Sequence, residues 1–308
     1  MTTVEIGPLA LGCAPLGNLF EAVTDDDARA TVDAAWAQGV RLFDTAPLYG
    51  HGLSEQRLGA ALRDRPRDEY LLATKVGRVL VPLGAGQEQD DSIFVDVPKV
   101  RPVFDFSHGG VLRSVEDSLE RLGLDRIDVL HVHDPDDHLD EAEEGAFPAL
   151  MRLREEGVVG AIGLGTNLAS VASRFVGRVD LDWVLLAGRC SLLDRSGPHE
   201  VFAACDAHGV GVLAAGVFNS GVLAAPAPDA SFHYAPVPKD VLARVRQMEA
   251  ACTGHGVPLA AAALQLPLRY EVVRAVLVGA RTAAEIAEDA ALLHVPIPEA
   301  LWETLASI

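Results

Sequence analysis

Short apolar runs alternate with longer amphipathic stretches along the whole chain. The runs fall at Leu9–Cys13, Leu42–Asp44, Leu71–Val76, Val129–His133, Ala161–Leu164, Trp183–Leu186, Val212–Ala215 and Ala275–Val278. Between them, Asp25–Gln38 reads as a helix with Asp25, Asp26 and Asp27 at its start, where a helix N-terminus favours negative charge. Ser54–Arg63 reads as a helix opened by Ser54. Gly110–Leu122 carries Val111, Leu112, Val115, Leu119 and Leu122 at helical spacing and stops at Gly123. Ala146–Glu156, Pro198–His208 and Lys239–His255 each run into a glycine in the same way. This alternation predicts βαβ units and a parallel sheet.

Eight strand–helix units with no long linker predict an α/β fold: a single (β/α)8 TIM barrel occupying 1–308 as one domain. An open doubly wound sheet is the alternative. It is disfavoured because no GxGxxG follows the first strand and the polar residues of interest follow several different strands. One connection is long. Arg78 to His108 follows the third strand and holds Pro82, Gly84, Gly86, an acidic patch at Glu88–Asp91, Pro98 and Pro102. A long βα loop on that face is expected to act as a lid or pocket wall.

Composition narrows the partners. The net charge of −19 argues against nucleic acid and anionic membranes, which need a concentrated basic face. No run approaches the ~18 apolar residues of a membrane helix. Met1-Thr2-Thr3-Val4-Glu5 lacks the basic and apolar regions of a signal peptide, so a cytoplasmic location is expected. The four cysteines, Cys13, Cys190, Cys205 and Cys252, lie far apart among small or apolar residues, as buried free thiols do.

Three predicted strand ends carry ionisable groups. Asp44 ends the second strand, with Tyr49 five residues later. Lys75 lies in the third strand, in Ala73-Thr74-Lys75-Val76-Gly77. His133 closes the fourth, in Leu130-His131-Val132-His133-Asp134-Pro135. A barrel would gather them at one mouth. A phenol titrates near ~10, too high for a base at neutral pH, and a nearby ammonium favours its phenolate. A carboxylate beside that ammonium favours its charge, and an imidazole across the mouth can orient a substrate oxygen. Asp44, Tyr49, Lys75 and His133 therefore suit proton transfer at one oxygen, as hydride chemistry on an alcohol or hemiacetal requires. Taken singly, each has a bland explanation: a paired lysine, a turn cap, a loop aromatic, a satisfied histidine.

The segments Phe43-Asp44-Thr45-Ala46-Pro47-Leu48-Tyr49-Gly50, Ser54-Glu55, Thr74-Lys75-Val76-Gly77 and Leu122-Gly123-Leu124-Asp125-Arg126-Ile127-Asp128 resemble the aldo-keto reductase family over nearly the whole chain. Phe104-Asp105-Phe106-Ser107, His133-Asp134-Pro135-Asp136, Leu185-Leu186-Ala187-Gly188-Arg189 and Gly216–Gly221 resemble one branch. Its members are bacterial aldose dehydrogenases acting on L-fucose or D-threo-aldoses, with pyridoxal 4-dehydrogenase close by. The resemblance implies an NAD(P)-dependent oxidoreductase that oxidises a sugar hemiacetal at C1 to a lactone. Reduction of a small aldehyde or ketone is the alternative within the family. Phe104, Phe106 and the acidic stretch of the long loop are expected to help choose the substrate.

The resemblance assigns Tyr49 as acid/base, Asp44 and Lys75 as its support, and His133 as its partner. It implies that Asn167 holds the nicotinamide amide. The loop Gly216, Val217, Phe218, Asn219, Ser220, Gly221 would wrap the pyrophosphate, with close backbone approach at the glycines. Gly279, Ala280, Arg281, Glu285 and Asp289 would form the adenosine-phosphate pocket. Two positions depart from many relatives: Cys190 stands where a tyrosine stacks on the nicotinamide, and Gly279 and Glu285 stand where NADP-preferring relatives carry bases. Glu285 could bond a ribose hydroxyl and repel a 2′-phosphate, while Arg281 could meet one, so dual use with a lean toward NAD is expected.

Two other classes remain to be weighed. His131 and His133 form an HxH on one strand, as in zinc hydrolases, but lack an evident third ligand, so no metal is expected. A non-catalytic cofactor-binding protein would have no need of all four polar residues.

Overall fold

The computed structural model describes residues 4–84, 86–89, 93–233 and 235–308. Met1–Thr3 of the N-terminal reading, and Asp90 and Asp91 of the acidic patch, lie outside them. The strands in chain order are β1 (Leu9–Gly12), β2 (Leu42–Asp44), β3 (Leu71–Val76), β4 (Arg78–Pro82), β5 (Val100–Phe104), β6 (Val129–His133), β7 (Ala161–Thr166), β8 (Trp183–Ala187), β9 (Gly211–Ala215), β10 (Ser231–Phe232), β11 (Ala235–Pro236) and β12 (Val273–Gly279). Eight of them close into a parallel barrel in the order β1-β12-β9-β8-β7-β6-β3-β2. The eight predicted runs are these eight strands, with ends moved by up to two residues. Closure excludes the open doubly wound sheet.

Alternate residues of each strand face the barrel axis. Ala10, Leu42, Ala73, Val129, Leu185, Leu213, Ala275 and Leu277 form a core of their own there. The opposite parity packs against the surrounding helices, where Leu11, Phe43, Leu72, Leu130, Ile162 and Val184 are almost fully buried. Each such side chain contributes about 1.5–3 kcal/mol on leaving water.

The helices start where local chemistry allows. Thr24 caps Asp25–Ala37 by accepting from the Asp27 N–H. Ser107 caps His108–Leu122, which ends at Gly123 in the left-handed conformation. Thr282 caps Ala283–Leu292. Each cap satisfies an N–H that the helix cannot.

Three readings need correction. Ser54 does not open its helix, which runs Leu53–Leu62 from an uncapped Gly52. Its hydroxyl instead donates to the Cys13 carbonyl at 2.7 Å and meets Thr45 Oγ1 at 2.9 Å, tying the helix to the barrel rim. The stretch Pro198–His208 is two short helices, Ser196–Glu200 and Phe202–Ala207, because Val201 leaves helical geometry at φ −121°. The long connection after the third strand is not irregular throughout. β4 and β5 pair as an antiparallel hairpin with Arg78 opposite Phe104.

Candidate active site

Register brings the predicted groups together. Asp44 pairs with Ala73, Lys75 with His131, and His133 with Gly165, all on the inward parity at the C-terminal end of the barrel. Small neighbours make the room. A Cβ on Gly163 would lie 2.4 Å from His131 Nδ1, and one on Gly165 would lie 3.6 Å from Lys75 Cε.

Lys75 Nζ donates to Asp44 Oδ2 at 2.6 Å and to the Thr45 carbonyl at 2.9 Å. The same ammonium lies 4.7 Å from the centre of the Tyr49 ring. The His133 ring meets Tyr49 edge-on, with centroids 5.8 Å apart. Tyr49 sits on a loop held by backbone contact: Gly50 has φ 60°, and a Cβ there would be 2.4 Å from the Gly17 carbonyl oxygen. Only glycine allows that approach. Beneath the site, buried Glu55 accepts from Thr74 Oγ1 at 2.8 Å and from Arg121 Nε at 2.6 Å, locking helix Leu53–Leu62 to β3.

Burial sets the electrostatics. It raises the Asp44 carboxyl, although Lys75 opposes the shift. It lowers His133 well below the usual imidazole range, helped by the charges of Arg78 and Lys75. Both therefore sit in a site poor in water, where fixed charges act strongly.

Sequence reasoning missed Arg78 and gave Asp134 no role. Arg78 donates to the His133 carbonyl at 3.1 Å and lies 3.5 Å from Asp134 Oδ2. Asp134 Oδ2 is in turn 3.4 Å from His133 Nε2. Phe104 and Phe106, expected to help choose the substrate, lie at and just after the end of β5. The two rings stack at 5.9 Å and both contact His138, while Phe94 lies 6.2 Å from Tyr49. Asp134 follows His133 directly and was open to notice; Arg78 reaches the site only through hairpin geometry.

The residues that the resemblance implies for a dinucleotide lie at or after the ends of β7, β8, β9 and β12, on the same rim. The Asn167 carbonyl accepts from Arg189 Nε at 2.5 Å. Cys190 is 1% exposed within the apolar core, and burial pushes its thiol up to about 12. The loop Gly216–Gly221 has positive φ at Gly216, Asn219, Ser220 and Gly221. Val217 is buried and Phe218 half-buried. Asn219 is 3% exposed, and neither atom of its side-chain amide has a hydrogen-bond partner among the described residues. Gly279 ends β12, and Ala280 is buried behind it. The Arg281 N–H donates to Glu285 Oε2 at 2.7 Å. Asp289 is 8% exposed, and burial beside Glu288 and Glu285 pushes its carboxyl up to about 7.

His131 is fully buried between Lys75 and Gly163, and neither ring nitrogen has a hydrogen-bond partner among the described residues. Among the described residues, no group of three or more His, Cys, Asp or Glu side chains could hold a metal ion. Nor is any described helix long and apolar enough to cross a membrane.

The aldo/keto reductase family matches the chain over residues 8–308. A D-threo-aldose 1-dehydrogenase from a Pseudomonas species is 44% identical over 310 residues, covering 98% of this chain and 94% of its own length. A pyridoxal 4-dehydrogenase from Microbacterium luteolum is 39% identical over 325 residues, covering 99% and 95%. Among solved structures, the holo form of an aldo-keto reductase from Bacillus halodurans matches with a TM-score of 0.76 at 26% identity, covering 98% of this chain and 92% of that one. The chain belongs to the aldo/keto reductase family and is an NAD(P)-dependent oxidoreductase.

Proposed function

We propose that this protein oxidises the cyclic hemiacetal of an aldose at C1, giving the lactone and NAD(P)H. The observation that carries the reading is the Lys75 ammonium, 2.6 Å from Asp44 and 4.7 Å from the Tyr49 ring centre, with His133 edge-on to that ring. The D-threo-aldose 1-dehydrogenase relative supplies the substrate class.

When bound, the nicotinamide supplies the hydride acceptor. Tyr49 takes the proton of the anomeric hydroxyl as the C1–H bond breaks. Lys75 favours the phenolate that Tyr49 needs for this, and Asp44 holds Lys75 in place. His133, neutral because it is buried, hydrogen-bonds the same oxygen and fixes its position. Buried Phe94, beside the Tyr49 ring, shields that side of the site from water.

The rim fits a dinucleotide. Asn219 carries a buried amide with no partner among the described residues, on a loop whose backbone turns back at Gly216 and Gly221. A pyrophosphate would supply acceptors for its N–H groups and for the loop amides. Asn167 would meet the nicotinamide amide beside Cys190, and Gly279, Ala280, Arg281, Glu285 and Asp289 would line the adenosine end. Glu285 is exposed and acidic there, so NAD is favoured, with NADP accepted through Arg281. The four free, buried thiols agree with the cytoplasmic location we infer.

The test is a panel of aldoses with NAD⁺ and NADP⁺, following nicotinamide absorbance and identifying the lactone. Aldose-dependent reduction of cofactor is expected. Turnover of simple aldehydes alone, with every aldose inert, would overturn the substrate class.

A further inference from the structure

Arg78 and Asp134 belong to none of the roles assigned above, yet both border the reacting groups. Asp134 stands directly after β6 in a left-handed backbone conformation, φ 41°, which few residues other than glycine adopt. That turn folds its carboxylate back, so that Oδ2 lies 3.4 Å from His133 Nε2. The same oxygen is 3.5 Å from the Arg78 guanidinium. Both separations exceed a good charged hydrogen bond of about 2.7–2.9 Å. The carboxylate is close to two donors and well bonded to neither.

Arg78 is fixed from other directions. It donates to the His133 carbonyl at 3.1 Å, and its guanidinium lies 4.6 Å from the Phe104 ring centre. Its side chain is 13% exposed and that of Asp134 is 21% exposed. An Arg–Asp pair this loosely closed, partly exposed and beside His133 offers a donor and an acceptor to a ligand. Those are the groups that recognise vicinal hydroxyls. Neighbouring oxygens of a sugar lie about one hydrogen-bond length apart. An anomeric oxygen held at His133 Nε2 therefore brings the next hydroxyl onto Asp134.

We infer that Asp134 and Arg78 form a specificity pair that reads the hydroxyl next to the reacting carbon: the hydroxyl donates a hydrogen bond to the carboxylate and accepts one from the guanidinium. This inference rests on the aldose reading. It makes the enzyme a reader of 2-hydroxylated aldehydes in hemiacetal form, and it explains the tolerated backbone conformation at Asp134.

The experiment measures kcat/KM for an aldose and for its 2-deoxy counterpart in the wild type, Asp134→Ala, Asp134→Asn and Arg78→Gln. The readout is the ratio of the two values within each variant, so a general loss of activity cancels. The wild type should prefer the aldose by ~10–100-fold, the worth of a hydrogen bond to a charged group. In Asp134→Ala the ratio should fall below ~5, with Asp134→Asn and Arg78→Gln intermediate. A ratio unchanged within two-fold in Asp134→Ala and Arg78→Gln, while aldoses are still oxidised, overturns the pair and leaves the aldose reading standing. No aldose turnover by the wild type refutes that reading, and the pair with it.

Discussion

Lys75 Nζ lies 2.6 Å from Asp44 Oδ2, and both side chains are 1% exposed. The pair is incompletely satisfied, because Asp44 Oδ1 has no hydrogen-bond partner among the described residues. Removing two charges from water costs more than such a contact returns unless every lone pair is bonded. The pair therefore makes sense through the phenol it serves and not as a source of stability. It also makes each partner hostage to the other.

Replacing Lys75 with Met leaves the Asp44 carboxylate buried and unpaired. Lys75→Met should lower stability by about 3–5 kcal/mol, the usual cost of breaking a buried pair from one side. It should also abolish turnover. Tyr49→Phe should cut kcat at least ~10²-fold, the lower end for a general acid–base group, with a smaller loss of Tm than Lys75→Met. Thermal melts and single-turnover kinetics on both variants separate the effects. Near-normal kcat in Tyr49→Phe would reject the phenol as the proton acceptor.

Much of this site was legible because barrel strands are buried on both faces. Leu71–Val76 and Val129–His133 read as apolar runs, and any ionisable residue inside one, such as Lys75 or His133, stands out. The hairpin Arg78–Pro82 with Val100–Phe104 was not legible. Its strands are short, half-exposed and bounded by Pro82, Gly84 and Pro98, so its pattern matches a loop. The helices Ala169–Phe175 and Leu259–Gln265 also went unread. Leu259, Ala261, Ala262, Ala263 and Leu264 are all buried, which leaves no polar face to set a period. The closeness of Arg78 and Asp134 depends on that hairpin and on one left-handed residue, and no local pattern encodes such a contact.

His131 offers a pH prediction with a defined sign. Burial, aided by Lys75, lowers it to about 3 in the folded protein, against 6.5 for a free imidazole. The folded state keeps it neutral while the unfolded chain takes up a proton. The stability contributed by this group is present above pH ~6.5 and is lost as pH falls toward ~3. His131→Leu removes the titration. Urea unfolding between pH 7 and 4.5 should then lose stability less steeply than the wild type. The difference in slope should be close to one proton, about 1.4 kcal/mol per pH unit. Parallel curves for the two proteins would mean that the imidazole is protonated in the folded barrel.

Glu285 should govern cofactor choice while also serving the helix start. Its carboxylate accepts from the Arg281 N–H at 2.7 Å, and its own N–H donates to Thr282 Oγ1 at 3.2 Å. Glu285→Arg puts a second base beside Arg281, where a 2′-phosphate would sit. The ratio of kcat/KM with NADP⁺ to that with NAD⁺ should rise at least ~10-fold, since charge-assisted bonds to phosphate are strong. Stability should fall by about 1 kcal/mol as the carboxylate that accepts from the Arg281 N–H is lost. Glu285→Gln should keep much of the bond and shift the ratio less. An unchanged ratio in Glu285→Arg would place the ribose away from this helix.

Asp289 carries the opposite pH sign from His131. It is 8% exposed, and burial together with Glu288 and Glu285 pushes its carboxyl up to about 7 from a usual 3.8. The folded state therefore holds a proton that the unfolded chain has released. Stability from this group falls as pH rises from ~4 to ~7, and the full cost of ionisation is felt above that window. Asp289→Asn keeps the shape and removes the charge. The variant should come closest to the wild type near pH 4 and melt progressively higher toward pH 8, by about 2–4 °C for each kcal/mol relieved. Differential scanning calorimetry at half-unit pH steps gives the comparison. A Tm difference that stays constant from pH 4.5 to 8 would show that the carboxylate ionises without penalty, and hence that water reaches it.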